Sequence, residues 1–170
     1  MRGFRYGMRK STGGFKGHTR SFASVKSDNL NDSKQQIKNQ IVRLYEENRY
    51  LVEGKILSDN EKNAFQNITG NMGDVEAVEA LNILCVYLAR YYDKKVIILL
   101  DEYDTPMQEA YINGYWKEFT SFIRNFFNST FKSNPYLERA IMTGVTRVSK
   151  ESIFSDLNNL SILMQIIMIL

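Results

Sequence analysis

At 170 residues, 44% hydrophobic and 24% charged, the chain has the length and balance of one globular domain, which excludes a low-complexity polymer or a disulfide-dense scaffold. Its net charge of +3 is uneven: residues 1–27 carry seven basic side chains (Arg2, Arg5, Arg9, Lys10, Lys16, Arg20 and Lys26) and no acid, leaving 15 basic and 19 acidic residues beyond them. The basic character therefore belongs to the N-terminal segment and not to the body, and the single cysteine, Cys85, excludes an internal disulfide or a multi-cysteine metal site.

Residues 1–20 hold five of the ten glycines and no hydrophobic period, so they read as an irregular, basic, solvated segment. No aromatic stacking pattern or amphipathic helix accompanies the charge, which weakens a nucleic-acid or membrane role. No apolar stretch of the secretory kind follows it, and a lone thiol fits the reducing cytoplasm. His18 is the only histidine and lies among glycines, away from any acid-bearing element, so Ser-His-Asp or Cys-His catalysis is not expected.

Ser21 to Val25 reads as a short strand or its remnant. Asn29 to Asp32 supply caps for a helix whose Ile37, Ile41, Leu44, Tyr45 and Leu51 share one face. Ser58-Asp59-Asn60-Glu61 is a capping box opening a short helix with Ala64, Phe65 and Ile68, closed at Gly70 and Gly73. Asp74 starts a longer helix with Val75, Val78, Leu81, Cys85, Leu88 and Tyr92 on its apolar stripe.

Asp93-Lys94-Lys95 turns into Val96-Ile97-Ile98-Leu99-Leu100, a continuous aliphatic run that predicts a strand buried on both faces. A segment with Met107, Ala110, Tyr111 and Ile112 follows Pro106. Tyr115 to Lys132 is a strong helix with Trp116, Phe119, Phe122, Ile123, Phe126, Phe127 and Phe131 on one broad face, which is a core pattern rather than a ligand box. Asn134-Pro135 breaks it, Arg139 to Gly144 reads as a second buried strand, and Ser149 and Glu151 begin another helix or turn. Residues 161–170 are an apolar tail too short to span a bilayer. Helices alternating with apolar strands predict an α/β fold, a parallel sheet flanked by helices.

The first strand delivers Asp101 and Glu102 to its carboxyl end, where chemistry sits in such sheets. In phosphate-transfer enzymes an aspartate there holds the nucleotide's Mg²⁺, and the glutamate orients or deprotonates the attacking water. The second strand ends in Thr143-Gly144, with Arg147 beyond it; a hydroxyl and a guanidinium there suit phosphate charge.

The run Val-Ile-Ile-Leu-Leu-Asp-Glu-Tyr-Asp-Thr-Pro (Val96 to Pro106), together with Asn134-Pro135-Tyr136-Leu137 and Thr143 to Leu160, resembles the AAA-ATPase-like P-loop family over roughly residues 21–160. That resemblance implies a partial P-loop NTPase-like sheet, ATP and Mg²⁺ as cofactors, Asp101 as metal ligand and Glu102 as catalytic group, the two forming the Walker B pair. More weakly, it implies Thr143 and Arg147 as nucleotide-binding residues. Family members often carry a restriction-endonuclease-like domain, and contact with nucleic acid is expected only through such a domain.

The family's phosphate-binding loop has no counterpart in the sequence, which contains no Gly-x-x-x-x-Gly-Lys-Ser/Thr. The nearest approach, Gly7-Met8-Arg9-Lys10-Ser11-Thr12, has the wrong glycine-to-lysine spacing to cradle a phosphate, so Lys10 is not expected to act as a P-loop lysine. The expectation is an incomplete ATPase-like domain with weak turnover and a tendency to self-associate or take a partner chain. Two alternatives stand beside it: a metal-dependent phosphoesterase or nuclease using Asp101, Glu102 and Asp104 as direct ligands, and a non-catalytic interaction module.

Overall fold

The computed structural model describes residues 5–8, 16–18, 21–144, 153–154, 160–163 and 166–169, with side chains over 21–144 and 153–154. Strands β1 (Arg5–Met8) and β2 (Lys16–His18) precede helices α1 (Leu30–Glu47), α2 (Tyr50–Glu53), α3 (Asp59–Gln66) and α4 (Asp74–Tyr92). Then come β3 (Val96–Leu100), α5 (Thr105–Ile112), α6 (Trp116–Phe131), β4 (Leu137–Thr143), β5 (Leu160–Leu163) and β6 (Ile166–Ile169).

The helices follow their local signals. Asn29 caps α1 by accepting the Asp32 N–H at 2.9 Å. The capping box forms at α3: Ser58 Oγ accepts the Glu61 N–H, and Glu61 returns its carboxylate to the Ser58 N–H at 2.9 Å. The reading of one helix through Leu51 is corrected at Asn48. Its buried side chain donates to the Leu44 carbonyl at 2.7 Å, competing with the helical ladder, and the chain restarts as α2.

The α/β class holds, and the sheet is mixed rather than parallel. Its order is β2-β1-β3-β4-β6-β5, and within it only β3 and β4 run parallel. Two further expectations change with it. Residues 5–8 and 16–18, read as irregular, form strands that extend the sheet beside β3, and the apolar tail folds back as the β5–β6 hairpin along β4. Short Gly-containing strands such as Arg5-Tyr6-Gly7-Met8 carry too little period for detection; backbone pairing to β3 selects them. Ser21 to Val25, expected as a short strand or its remnant, make one parallel bridge, Ser21 to Asp101, and then a 3₁₀ turn over Phe22–Ser24.

The β3–β4 pair is buried on one face only. Val96, Ile98 and Leu100, with Ala140 and Met142 beside them in register, are buried, whereas Ile97, Leu99 and Ile141 are half-buried. The expectation of burial on both faces is corrected to this alternation. α4 packs on α6 and both contribute to the main core, with Ile37, Leu84, Leu88, Phe119, Ile123 and Phe127 fully buried. Cys85 lies in this core, where burial pushes its thiol up to about 12, so it acts as a small apolar filler. Tyr45 is also buried, its hydroxyl donating to the Ala80 carbonyl at 2.7 Å, and burial raises its pKa well above the ordinary tyrosine value. Among the described residues, no helix is long and apolar enough to cross a membrane.

Candidate functional site

Asp101 stands where the aliphatic run ends. β3 and β4 run parallel with Leu100 opposite Met142, so the next pair, Asp101 and Thr143, project to the same, less covered face. The Thr143 hydroxyl donates to Asp101 Oδ1, and the Glu102 backbone N–H donates to the same oxygen at 3.1 Å. On the other flank the Phe22 N–H donates to the Asp101 carbonyl at 3.2 Å, continuing the bridge from Ser21. Asp101 is thus held by β4, by its own successor and by the segment before α1. Among the described residues Asp101 Oδ2 has no hydrogen-bond partner.

Glu102 leaves the strand in a left-handed conformation, with φ 54°. A non-glycine residue there costs about 1 kcal/mol or more, and the flanking bonds hold it in place. The Tyr103 N–H donates to the Thr143 carbonyl at 3.1 Å, and the Thr105 N–H donates to the Glu102 carbonyl at 3.2 Å. The turn at Glu102 therefore breaks the alternation of the strand, and its half-buried side chain stays within reach of solvent at the rim.

Asp104 takes a different course. It is 1% exposed, and its Oδ2 accepts from Gln108 Nε2 at 3.0 Å. Gly144 closes over it: a Cβ there would lie 2.6 Å from Asp104 Oδ1 and 2.9 Å from Tyr103 Cε1. Asp104 and Gln108 thus belong to the wall behind the site. The three-carboxylate site expected for a phosphoesterase is not assembled. Among the described residues no group of three or more His, Cys, Asp or Glu is placed to hold an ion, because Asp104 is drawn inward by Gln108 while Asp101 faces the open rim.

Of the residues singled out in the sequence, Asp101, Glu102 and Thr143 meet at the rim, while Arg147 and Lys10 lie outside the described residues. Sequence reasoning missed Gln108, although its i+4 spacing from Asp104 across the start of α5 is a readable signal. It also missed the Ser21–Phe22 segment, whose contact with Asp101 is purely backbone and leaves no side-chain signature.

A family model described as "Predicted AAA-ATPase" matches residues 15–154. An uncharacterized protein in the vnfD 5' region of Azotobacter chroococcum mcd 1 is 34% identical over 68 residues, covering 39% of this chain and 13% of that protein. The chain thus spans a small part of the length of this curated relative. No solved structure matches.

Proposed function

This chain belongs to the AAA-ATPase-like family, and from that premise we propose that it carries the metal-binding half of a Mg·ATP site, with Asp101 as metal ligand and Glu102 as the group that orients or deprotonates the attacking water. The observation that carries this reading is the rim itself: an aspartate closing a rigid parallel strand, with one carboxylate oxygen held by Thr143 and Glu102 N–H and the other without a partner among the described residues. A hard, oxygen-seeking cation suits that donor set, and Mg²⁺ bound through one or two carboxylates with retained waters asks for no more protein ligands than this. When bound, the cation neutralises phosphate charge.

The chain's own residues do the remaining work. The strand keeps Asp101 from swinging away, and its backbone is pinned from both sides. Glu102, one residue on and turned out of the strand, presents a second carboxylate at the same rim, within a φ that the Thr143 and Thr105 bonds enforce. The sequence contains no Gly-x-x-x-x-Gly-Lys-Ser/Thr, so the backbone cradle that supplies most triphosphate affinity is not in this chain and its turnover alone is weak. ATP, Mg²⁺ and a cytoplasmic setting belong to this reading.

Isothermal titration of ATP into the purified chain, with and without Mg²⁺, tests it. ATP binding that Mg²⁺ strengthens, with that gain lost in Asp101→Asn but kept in Glu102→Gln, is the expected result. Identical heats for wild type and Asp101→Asn overturn it.

A further inference from the structure

We infer that Thr143 is a positioning residue that acts through Asp101, fixing which carboxylate oxygen faces the cation, rather than a direct contact to nucleotide. This rests on the metal-site reading above and deepens it. The register of β3 and β4 sets the two side chains next to each other on one face, and the hydroxyl is already committed to Asp101 Oδ1. The same oxygen accepts the Glu102 N–H, so Oδ1 has two protein donors and Oδ2 none among the described residues. Such an arrangement presents Oδ2 outward as a monodentate ligand and removes the rotation about χ2 that would exchange the oxygens.

The backbone ties Thr143 to this task from a second direction. Its carbonyl accepts the Tyr103 N–H at 3.1 Å, so Thr143 clamps the residues on both sides of Glu102 with its hydroxyl and its carbonyl. Gly144 allows that clamp to close, since a side chain there would strike Asp104 and Tyr103. A hydroxyl turned toward a phosphate would have to abandon Oδ1, leaving a charge-assisted bond unmade beside a half-buried carboxylate.

Removal of a partner that orients a metal ligand typically weakens metal affinity about 10–100-fold. Mn²⁺, which replaces Mg²⁺ and is visible by electron paramagnetic resonance, is titrated into the full-length chain in the presence of ATP, and ATP binding is measured separately with the metal chelated. Thr143→Val, which keeps the β-branched shape and removes the hydroxyl, is expected to weaken Mn²⁺ about tenfold or more and to leave metal-free ATP binding unchanged. Thr143→Ser, which restores the donor, is expected to return Mn²⁺ affinity to within about threefold of wild type. Unchanged Mn²⁺ affinity in Thr143→Val, with loss in Asp101→Asn, overturns the positioning role and leaves the metal site standing. An equal loss of metal-free ATP binding in Thr143→Val also overturns it, in favour of a nucleotide contact. Absence of Mn²⁺ binding in the wild type, or unchanged binding in Asp101→Asn, overturns the metal-site reading and the positioning role together.

Discussion

Two aromatic contacts separate the middle of α6 from the end of β3: Phe154 stacks on Phe127 with ring centroids 5.7 Å apart and meets the Tyr103 ring edge-on at 5.8 Å. The regions on either side are assembled differently. Along α6 two buried threonines are settled within the helix, Thr120 donating to the Trp116 carbonyl at 2.7 Å and Thr130 to the Phe126 carbonyl at 2.8 Å. Apolar area and ring stacking tie α6 to the rest, with one polar link from the Asn82 side chain of α4 to the Ser129 carbonyl. At the rim the polar groups bond between elements: β4 to β3 through Thr143 and Asp101, and the turn before α5 to β4 through Tyr103 N–H. Damage to the helical layer should therefore appear as lost stability, and damage to the rim as lost geometry at nearly unchanged stability.

The largest test of that contrast is Phe127→Ala. Phe127 is fully buried and stacks on Phe131 at 5.3 Å as well as on Phe154, so its truncation leaves a cavity that neighbouring rings cannot fill. A loss of about 3–5 kcal/mol is expected from urea unfolding, a large share of a typical domain's stability. Asp101→Asn in the same assay should change stability by less than about 1 kcal/mol while abolishing Mg²⁺-dependent ATP binding. Comparable losses in the two variants would erase the distinction between layer and rim.

Gly144→Ala sits at the boundary and sharpens it. The added methyl would meet Asp104 Oδ1 at 2.6 Å, and Asp104 has little room to yield because it is buried and held by Gln108. Overpacking of this kind costs about 1–3 kcal/mol. Because the displaced groups flank Glu102 and the Thr143 clamp, Mn²⁺ affinity should fall as well. A stability loss with unchanged Mn²⁺ affinity would show that the wall and the site are mechanically separate.

The two regions also differed in how legible they were. The helical layer is written in side-chain period: the seven apolar residues from Trp116 to Phe131 at helical spacing, the Ser58–Glu61 box and the Asp74 start all lie where the structure has them. The position of Asp101 and Glu102 at a strand end was equally readable, because an aliphatic run closing in acids has few other meanings. Hidden was everything decided by backbone pairing between distant segments. Nothing in Arg5–Met8 or Ile166–Ile169 says that it will lie beside β3 or β4, since a strand's place in a sheet is assigned by its neighbours and not by propensity. The left-handed Glu102 and the inward turn of Asp104 were hidden for a related reason. Both depend on bonds to Thr143 and Gln108, which become neighbours of the turn only after β4 and α5 dock.

Smaller effects belong to the helix ends. Glu61→Ala removes one half of the α3 capping box and the 2.6 Å ion pair with Arg90, which ties α3 to α4. A loss of about 1 kcal/mol is expected, with Glu61→Gln recovering the part due to the Ser58 N–H. Loss of Mn²⁺ affinity in this variant would contradict the separation of layer and rim, because among the described residues the Glu61 carboxylate bonds to Ser58 and Arg90, away from Asp101 and Thr143.

The weakest effect is set by pH. Asp74, at the start of α4, accepts from Lys34 Nζ at 2.7 Å and pairs with Lys38 Nζ at 2.9 Å, and these two bonds hold its carboxyl below the usual aspartate value. Glu61 is likewise lowered, first by the Ser58 N–H and then by Arg90. As pH falls, the unfolded chain takes up these protons before the folded one does. The stabilisation is therefore complete above the ordinary carboxylate range and drains away as pH falls through the lower folded values. Asp74 is 46% exposed, so solvent and salt screen its pair and the contribution stays at or below about 1 kcal/mol. Urea unfolding of wild type and Asp74→Asn between pH 3 and 7 should show a gap that is widest at neutral pH, narrows below about pH 4 and shrinks in 1 M NaCl. A gap independent of pH would mean that Asp74 stabilises the start of α4 by something other than its charge, the pairing with Lys34 and Lys38 contributing nothing.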